Sequence, residues 1–162
     1  MEAQYNEVHS LADMVRFVLA DMAGYDLFAS EQWETVVGMA KDPERVKAFV
    51  ICDGGYPNAL SLLKLQGESA QVLGWQIMCT AGAHMTLVRE NFASKGLYKS
   101  LVSSLQGCKV PGVFNTLASV LKCFVVDSNL ETARAFANTD GAIPALTTAL
   151  GRRLGSVESY IL

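Results

Sequence analysis

Three glycine-led segments, DGGYPNALSLL from Asp53, KGLYKSLVSSL from Lys95 and DGAIPALTTAL from Asp140, align on Gly54, Gly96 and Gly141, which stand 42 and 45 residues apart. A period in this range is what stacked helical repeats leave in a sequence, because each unit is too small to bury its apolar face without a neighbour. Helically spaced apolar residues precede each glycine, at 46–52, 85–92 and 130–137, and more follow it. A residue without a Cβ can take φ > 0, so the chain can reverse sharply between the two helices.

The remaining sequence supports helices throughout. Leu11, Met14, Val15, Val18, Leu19 and Met22 recur at steps of three and four behind Ser10, a candidate N-cap. Trp33, Val36, Val37 and Ala40 form a second stripe, and Asp42-Pro43 opens a third that holds Val46, Phe49 and Val50. Two longer stripes stand out: Ala70, Leu73, Gly74, Ile77, Met78 and Ala81, then Val113, Phe114, Leu117, Val120, Leu121 and Phe124. Pro43, Pro57, Pro111 and Pro144 all fall in first turns, where a missing N–H costs nothing. The apolar run 48–52 before Asp53-Gly54-Gly55 also fits a buried strand entering a glycine turn, but the dinucleotide-binding spacing is absent and no second run supplies a neighbouring strand. The expected class is all-α.

Polar breaks at 66–68 and 106–109 complete a recurring unit of short helix, glycine turn, second helix, break and long helix. A further break is expected around Ala81-Gly82-Ala83-His84, after the first long helix. In the last unit Arg152-Arg153 is assigned to the polar loop before a final helix, whose stripe begins at Leu154, Val157 and Ile161 and is cut short.

Gly141-Ala142-Ile143-Pro144-Ala145-Leu146 resembles the opening of the second helix of the armadillo repeat, and Gly54-Gly55-Tyr56-Pro57 and Gly96-Leu97-Tyr98-Lys99-Ser100-Leu101 are similar to it in turn. The resemblance covers residues 45–162. It implies a right-handed α-solenoid of about three armadillo-like three-helix repeats with an N-terminal helical cap, folded as a single domain over 1–162. The cap is expected at 1–44, repeats at 45–83 and 84–126, and an incomplete repeat at 127–162.

In that family the third helices line a concave groove, where an Asn ladder with nearby Trp holds an extended partner peptide. LGWQIMCTA puts Trp75 at the Trp position and Cys79 at the Asn position, and LASVLKCFV puts Ala118 and Lys122 at those places, so the Asn ladder is missing from both units. The groove geometry can persist without it. Gln71, Trp75 and Cys79 fall four apart on one helix face, with Asn115, Ala118 and Lys122 on the next long helix, and these six are the candidate partner-binding residues.

Several function classes are disfavoured. Thirteen basic and 16 acidic residues give a formal charge of −3 without a dense Lys/Arg run, so neither nucleic acid nor a membrane surface is an expected partner. The N-terminus lacks the pattern of a signal peptide and no apolar run reaches bilayer length, which points to a cytoplasmic protein, with the nucleus also open. Cys52, Cys79, Cys108 and Cys123 form no CxxC pair and are expected as reduced thiols in or near the core. With only His9 and His84 beside them, no metal site, cofactor or catalytic residue is assigned.

The expected function is therefore a protein–protein interaction module, without catalysis of its own, that binds a protein or peptide on the concave face. Two alternatives accompany it. The stretch VLGWQIMCTAGAHMTLVRENFASKGLYKSL is similar to short armadillo-like nucleotide-exchange factors of the seventy-kilodalton heat-shock chaperones, which implies a co-chaperone wrapped around an ATPase lobe. The other alternative is an assembly platform that self-associates through its open C-terminal end.

Overall fold

The computed structural model describes residues 11–20, 33–52, 54–65, 67–88, 97–107, 111–123 and 130–161, with only the backbone described at 111–114, 132 and 152–161. The described residues form nine helices and no strand: α1 (Leu11–Ala20), α2 (Trp33–Lys41), α3 (Pro43–Ile51), α4 (Gly55–Leu62), α5 (Glu68–His84), α6 (Leu97–Gly107), α7 (Pro111–Leu121), α8 (Leu130–Ala137) and α9 (Ala142–Ile161). They belong to two compact units, Met1–Met85 and Thr86–Leu162. The all-α class read from the sequence is the class observed.

In the first unit α1 buries Leu11, Met14, Val15 and Val18, the stripe read from its spacing. Ser10 and Met22 lie outside the described residues. Helix α3 opens on Asp42, whose side chain accepts the Glu44 amide at 3.1 Å, and Pro43 occupies the first turn. The run 48–52 is thus the end of a helix. Ion pairs Arg16–Asp13, Arg45–Asp42 and Lys47–Glu44 are surface pairs one turn apart and add little stability.

Helix α5 is the centre of this unit, packing against α2, α3 and α4. It buries residues around most of its circumference, including Leu73, Trp75, Ile77 and Met78, as expected of a helix enclosed by others. Gly74 permits the close crossing with α4: a Cβ there would stand 2.8 Å from Leu63 Cδ2 and 3.3 Å from the Ala59 carbonyl oxygen. Thr80 donates its hydroxyl hydrogen to the Ala40 carbonyl at 2.7 Å and so serves a carbonyl in the last turn of α2.

The break expected at residues 81–84 is not a break. Gly82 is buried inside α5, which runs to His84 and ends at Met85 in extended backbone. One glycine between alanines costs a helix about 1 kcal/mol, which packing readily offsets.

In the second unit α6 buries Leu97, Tyr98, Leu101, Val102, Ser104 and Leu105, and the Tyr98 ring meets Phe136 of α8 edge-on with centroids 5.8 Å apart. Helix α8 spans the residues 130–137 proposed from sequence. Helix α9 lies against α6, with α7 and α8 as further neighbours.

The loop expected at Arg152-Arg153 is also absent, because α9 continues unbroken from Ala142 to Ile161. Neither arginine disfavours a helix, no proline follows Pro144, and isolated Gly151 and Gly155 only weaken helix propensity. The side chains of the expected stripe Leu154, Val157 and Ile161 lie outside those described.

Both described glycine turns take the backbone that the alignment requires, Gly54 and Gly141 each having φ 78°. Their hydrogen bonds also match. Gly55 N–H donates to the Cys52 carbonyl at 3.1 Å and Ala142 N–H to Thr139 at 3.0 Å, while the Gly54 and Gly141 carbonyls accept from Asn58 and Ala145 at 3.0 Å each. Gly96 lies outside the described residues.

Candidate functional site

Helix α5 carries the first three candidate residues, with a different fate for each. Gln71 is half-buried and its Nε2 donates to the Leu65 carbonyl at 2.8 Å, which ties the start of α5 to the turn before it. Cys79 is half-buried. Trp75 lies between them in sequence and on the same arc, yet is only 1% exposed. An indole so enclosed contributes packing and has no surface to offer a partner. This corrects the expectation that Trp75 anchors a ligand. The signal was weak from the start, since a tryptophan flanked by Leu73, Ile77 and Met78 has core residues on both sides.

The second three behave uniformly. Asn115, Ala118 and Lys122 are exposed, as is Ser119 between them, while Leu117, Val120 and Cys123 are buried on the opposite side. Positions 115, 118, 119 and 122 recur at steps of three and four, so they form one wet face along α7 and the π-helical residues 122–123 that continue it. Ser119 donates to the Asn115 carbonyl at 3.2 Å, a bond within the helix that leaves the amide side chain of Asn115 outside that contact. Ser119 was not read as a site residue, and only its place on this face singles it out. The face offers an amide, a hydroxyl and an ammonium group over a small alanine, which suits hydrogen bonding to an extended or acidic chain more than apolar docking.

The cysteines divide by place. Cys123 is buried and Cys79 half-buried, but Cys52 is exposed, contrary to the expectation of a core or near-core thiol. It follows the last residue of α3, where the chain leaves the helix for extended backbone, and its thiol donates to the Phe49 carbonyl at 2.9 Å. Among the described residues these three take part in no disulfide. Cys108 lies outside them.

Cys52 also borders a cavity of about 240 Å³ lined by Leu11, Ala12, Arg45, Ala48 and Phe49. Its one charged lining group, Arg45, stands 3.4 Å from Asp42. With that guanidinium turned to a carboxylate and the thiol to a carbonyl, the cavity has apolar walls and no polar group that would orient a ligand.

Among the described residues no helix is long and apolar enough to cross a membrane. Comparisons with protein-family models, characterised proteins and solved structures found no match for this chain.

Proposed function

We propose that the chain is a protein–protein interaction module of the armadillo-like, right-handed solenoid type, which holds a partner protein or peptide on exposed helix faces and performs no catalysis itself. The fold reading is supported by the recurrence of short helix, αL glycine and second helix at α3–Gly54–α4 and α8–Gly141–α9. The long helices α5 and α7 follow second helices α4 and α6, as third helices do in that architecture.

The observation that carries the binding reading is the face of Asn115, Ala118, Ser119 and Lys122. All four are exposed, on a helix whose other side is fixed by buried Leu117 and Val120. Rigid backing lowers the entropy lost when such a surface docks a flexible chain. Buried Trp75 is not part of this proposal, although Gln71 and Cys79 are partly accessible on α5.

A photo-crosslinking residue placed at position 118, with a control at exposed position 134, tests the reading in cells. A discrete protein adduct at 118 that disappears with Lys122→Glu and is absent at 134 is the expected result. No adduct at 118, or the same adducts at both positions, sinks it.

A further inference from the structure

The charges of this chain are unevenly placed. Residues 1–85 carry five basic and 11 acidic side chains, whereas residues 86–162 carry eight basic and five acidic, so the second unit is cationic within an anionic protein. The imbalance is sharpest over residues 91–126, the stretch that holds α6 and α7. It contains Lys95, Lys99, Lys109 and Lys122 and not one Asp or Glu. A lysine with no carboxylate within a turn of it along the helix keeps its positive field unneutralised.

The described side chains bear this out. Arg16, Arg45 and Lys47 of the first unit each stand beside a carboxylate on their own helix. Lys99 of α6 and Lys122 are exposed, and among the described residues neither takes part in an ion pair. Lys122 is moreover the one charged member of the face formed with Asn115, Ala118 and Ser119. From Asn115 to Lys122 the helix rises about 10 Å, the length of three residues of extended chain. An amide such as that of Asn115 both donates and accepts, as a peptide group does, and so matches a polypeptide backbone.

We propose that the partner of the α7 face is an acidic protein segment, held extended with its backbone along Asn115 and Ser119 and a carboxylate at Lys122. Charge complementarity selects it: the face and its surroundings over residues 91–126 offer only positive charge, so an acidic segment meets no like-charged neighbour there, whereas a basic one is repelled. Four lysines spread over 36 residues lack the dense Lys/Arg footprint that a nucleic-acid backbone requires, which favours a peptide with a few carboxylates. The inference rests on the reading of this face as a docking surface and adds the chemical class of what docks.

Fluorescence anisotropy of the full chain with a labelled peptide of alternating Glu and Ser tests it, beside the same peptide with Gln in place of Glu and a single-stranded oligonucleotide of equal charge. The Glu peptide is expected to bind, more weakly as salt is raised, and the Gln peptide is not. Lys122→Gln should weaken binding about two- to fivefold, and Gln matches Lys in helix propensity, so the variant keeps its fold. Lys64→Gln, the same change at an exposed lysine of the first unit, should leave binding unchanged. No preference for the Glu peptide, binding indifferent to Lys122→Gln, an equal loss with Lys64→Gln, or tighter binding of the oligonucleotide each overturns the proposal. If the adduct at position 118 still forms in cells in such a case, the face remains a docking surface and only its acidic partner class is lost.

Discussion

The turns at Gly54 and Gly141 share a backbone and a pair of hydrogen bonds, yet they open helices of very different kinds. Helix α4 stops after eight residues and α9 runs for 20. The turn is thus a local property of Asp-Gly followed by a helix-forming segment, while the length of the second helix is set downstream. After α4 the chain passes through the turn at 63–65 into Gly67, which is extended at φ −69°, ψ 129° and opens α5. After the equivalent point in α9 comes Gly151-Arg152-Arg153-Leu154, which contains no stop.

The two turns differ as well at the residue after the αL glycine. The second unit has Ala142 there, fully buried, whereas the first has Gly55. The Phe49 carbonyl explains this: a Cβ on Gly55 would lie inside its contact distance and that of the Cys52 thiol. Gly55→Ala should therefore be the most damaging change, costing about 3 kcal/mol. Ala142→Gly should cost only about 1 kcal/mol from helix propensity and lost packing. Chemical denaturation of both variants measures the contrast, and equal costs would remove the distinction between the turns.

The αL glycines themselves come next. Gly54→Ala and Gly141→Ala should each lose about 1–2 kcal/mol, because an L-residue is strained at positive φ. The loss should be larger at Gly141, where a new Cβ would stand 3.2 Å from Gln106 Nε2 and 3.6 Å from Val102 Cγ1, against 3.9 Å from Asn58 Nδ2 at Gly54. The same denaturation curves rank them, and the reverse order would mean that the second turn relaxes more easily than its packing implies.

Thr80→Val should cost about 1–2 kcal/mol, since it removes a buried donor from the Ala40 carbonyl while keeping the side-chain volume. Hydrogen exchange should then show faster opening at the end of α2, with no change in α8 or α9. A loss without faster exchange at the end of α2 would assign the cost to something other than this hydrogen bond.

The smallest effect belongs to Tyr56, whose hydroxyl is buried with no hydrogen-bond partner among the described residues. Burial pushes its ionisation above the ordinary 10.0. Below that pH both the folded and unfolded forms are protonated and stability does not depend on this group. As the pH rises past it the unfolded chain ionises first, so stability falls with pH. Tyr56→Phe should stay within about 1 kcal/mol of wild type at neutral pH and lose part of that alkaline decline. An unchanged alkaline limb would assign the decline to other groups.

What the sequence made legible was whatever depends on near neighbours in the chain. The Asp42-Pro43 cap, the positive φ at two aligned glycines, the extent of α8 and the buried stripe of α1 all rest on spacing and turn chemistry within a few residues. Three misreadings share another cause. Gly82 and Arg152-Arg153 were read as breaks because glycine and charge often mark loops, but tertiary packing or simple continuity kept both inside helices. Trp75 was placed on a binding face by the armadillo resemblance and by register, which fix a position along and around a helix and leave open what lies against it. Which side of α9 faces in was illegible for a related reason: buried Ala142, Ala145 and Ala149 have the same periodicity as Ile143, Leu146 and Leu150, of which Ile143 and Leu150 are exposed, so periodicity could not choose between the sets.

The paired hydrogen bonds of the glycine turns also bear on the order in which the molecule forms. Each turn brings together helices adjacent in the chain, so the loop to be closed is only a few residues long and the entropy lost in closing it is small. Residues 43–62 and 130–149 are each expected to act as an early-forming hairpin, which later helices then join. Folding rates of a chain built this way should depend strongly on substitutions at Gly54 and Gly141 and weakly on those at Thr80, whose partner lies 40 residues away.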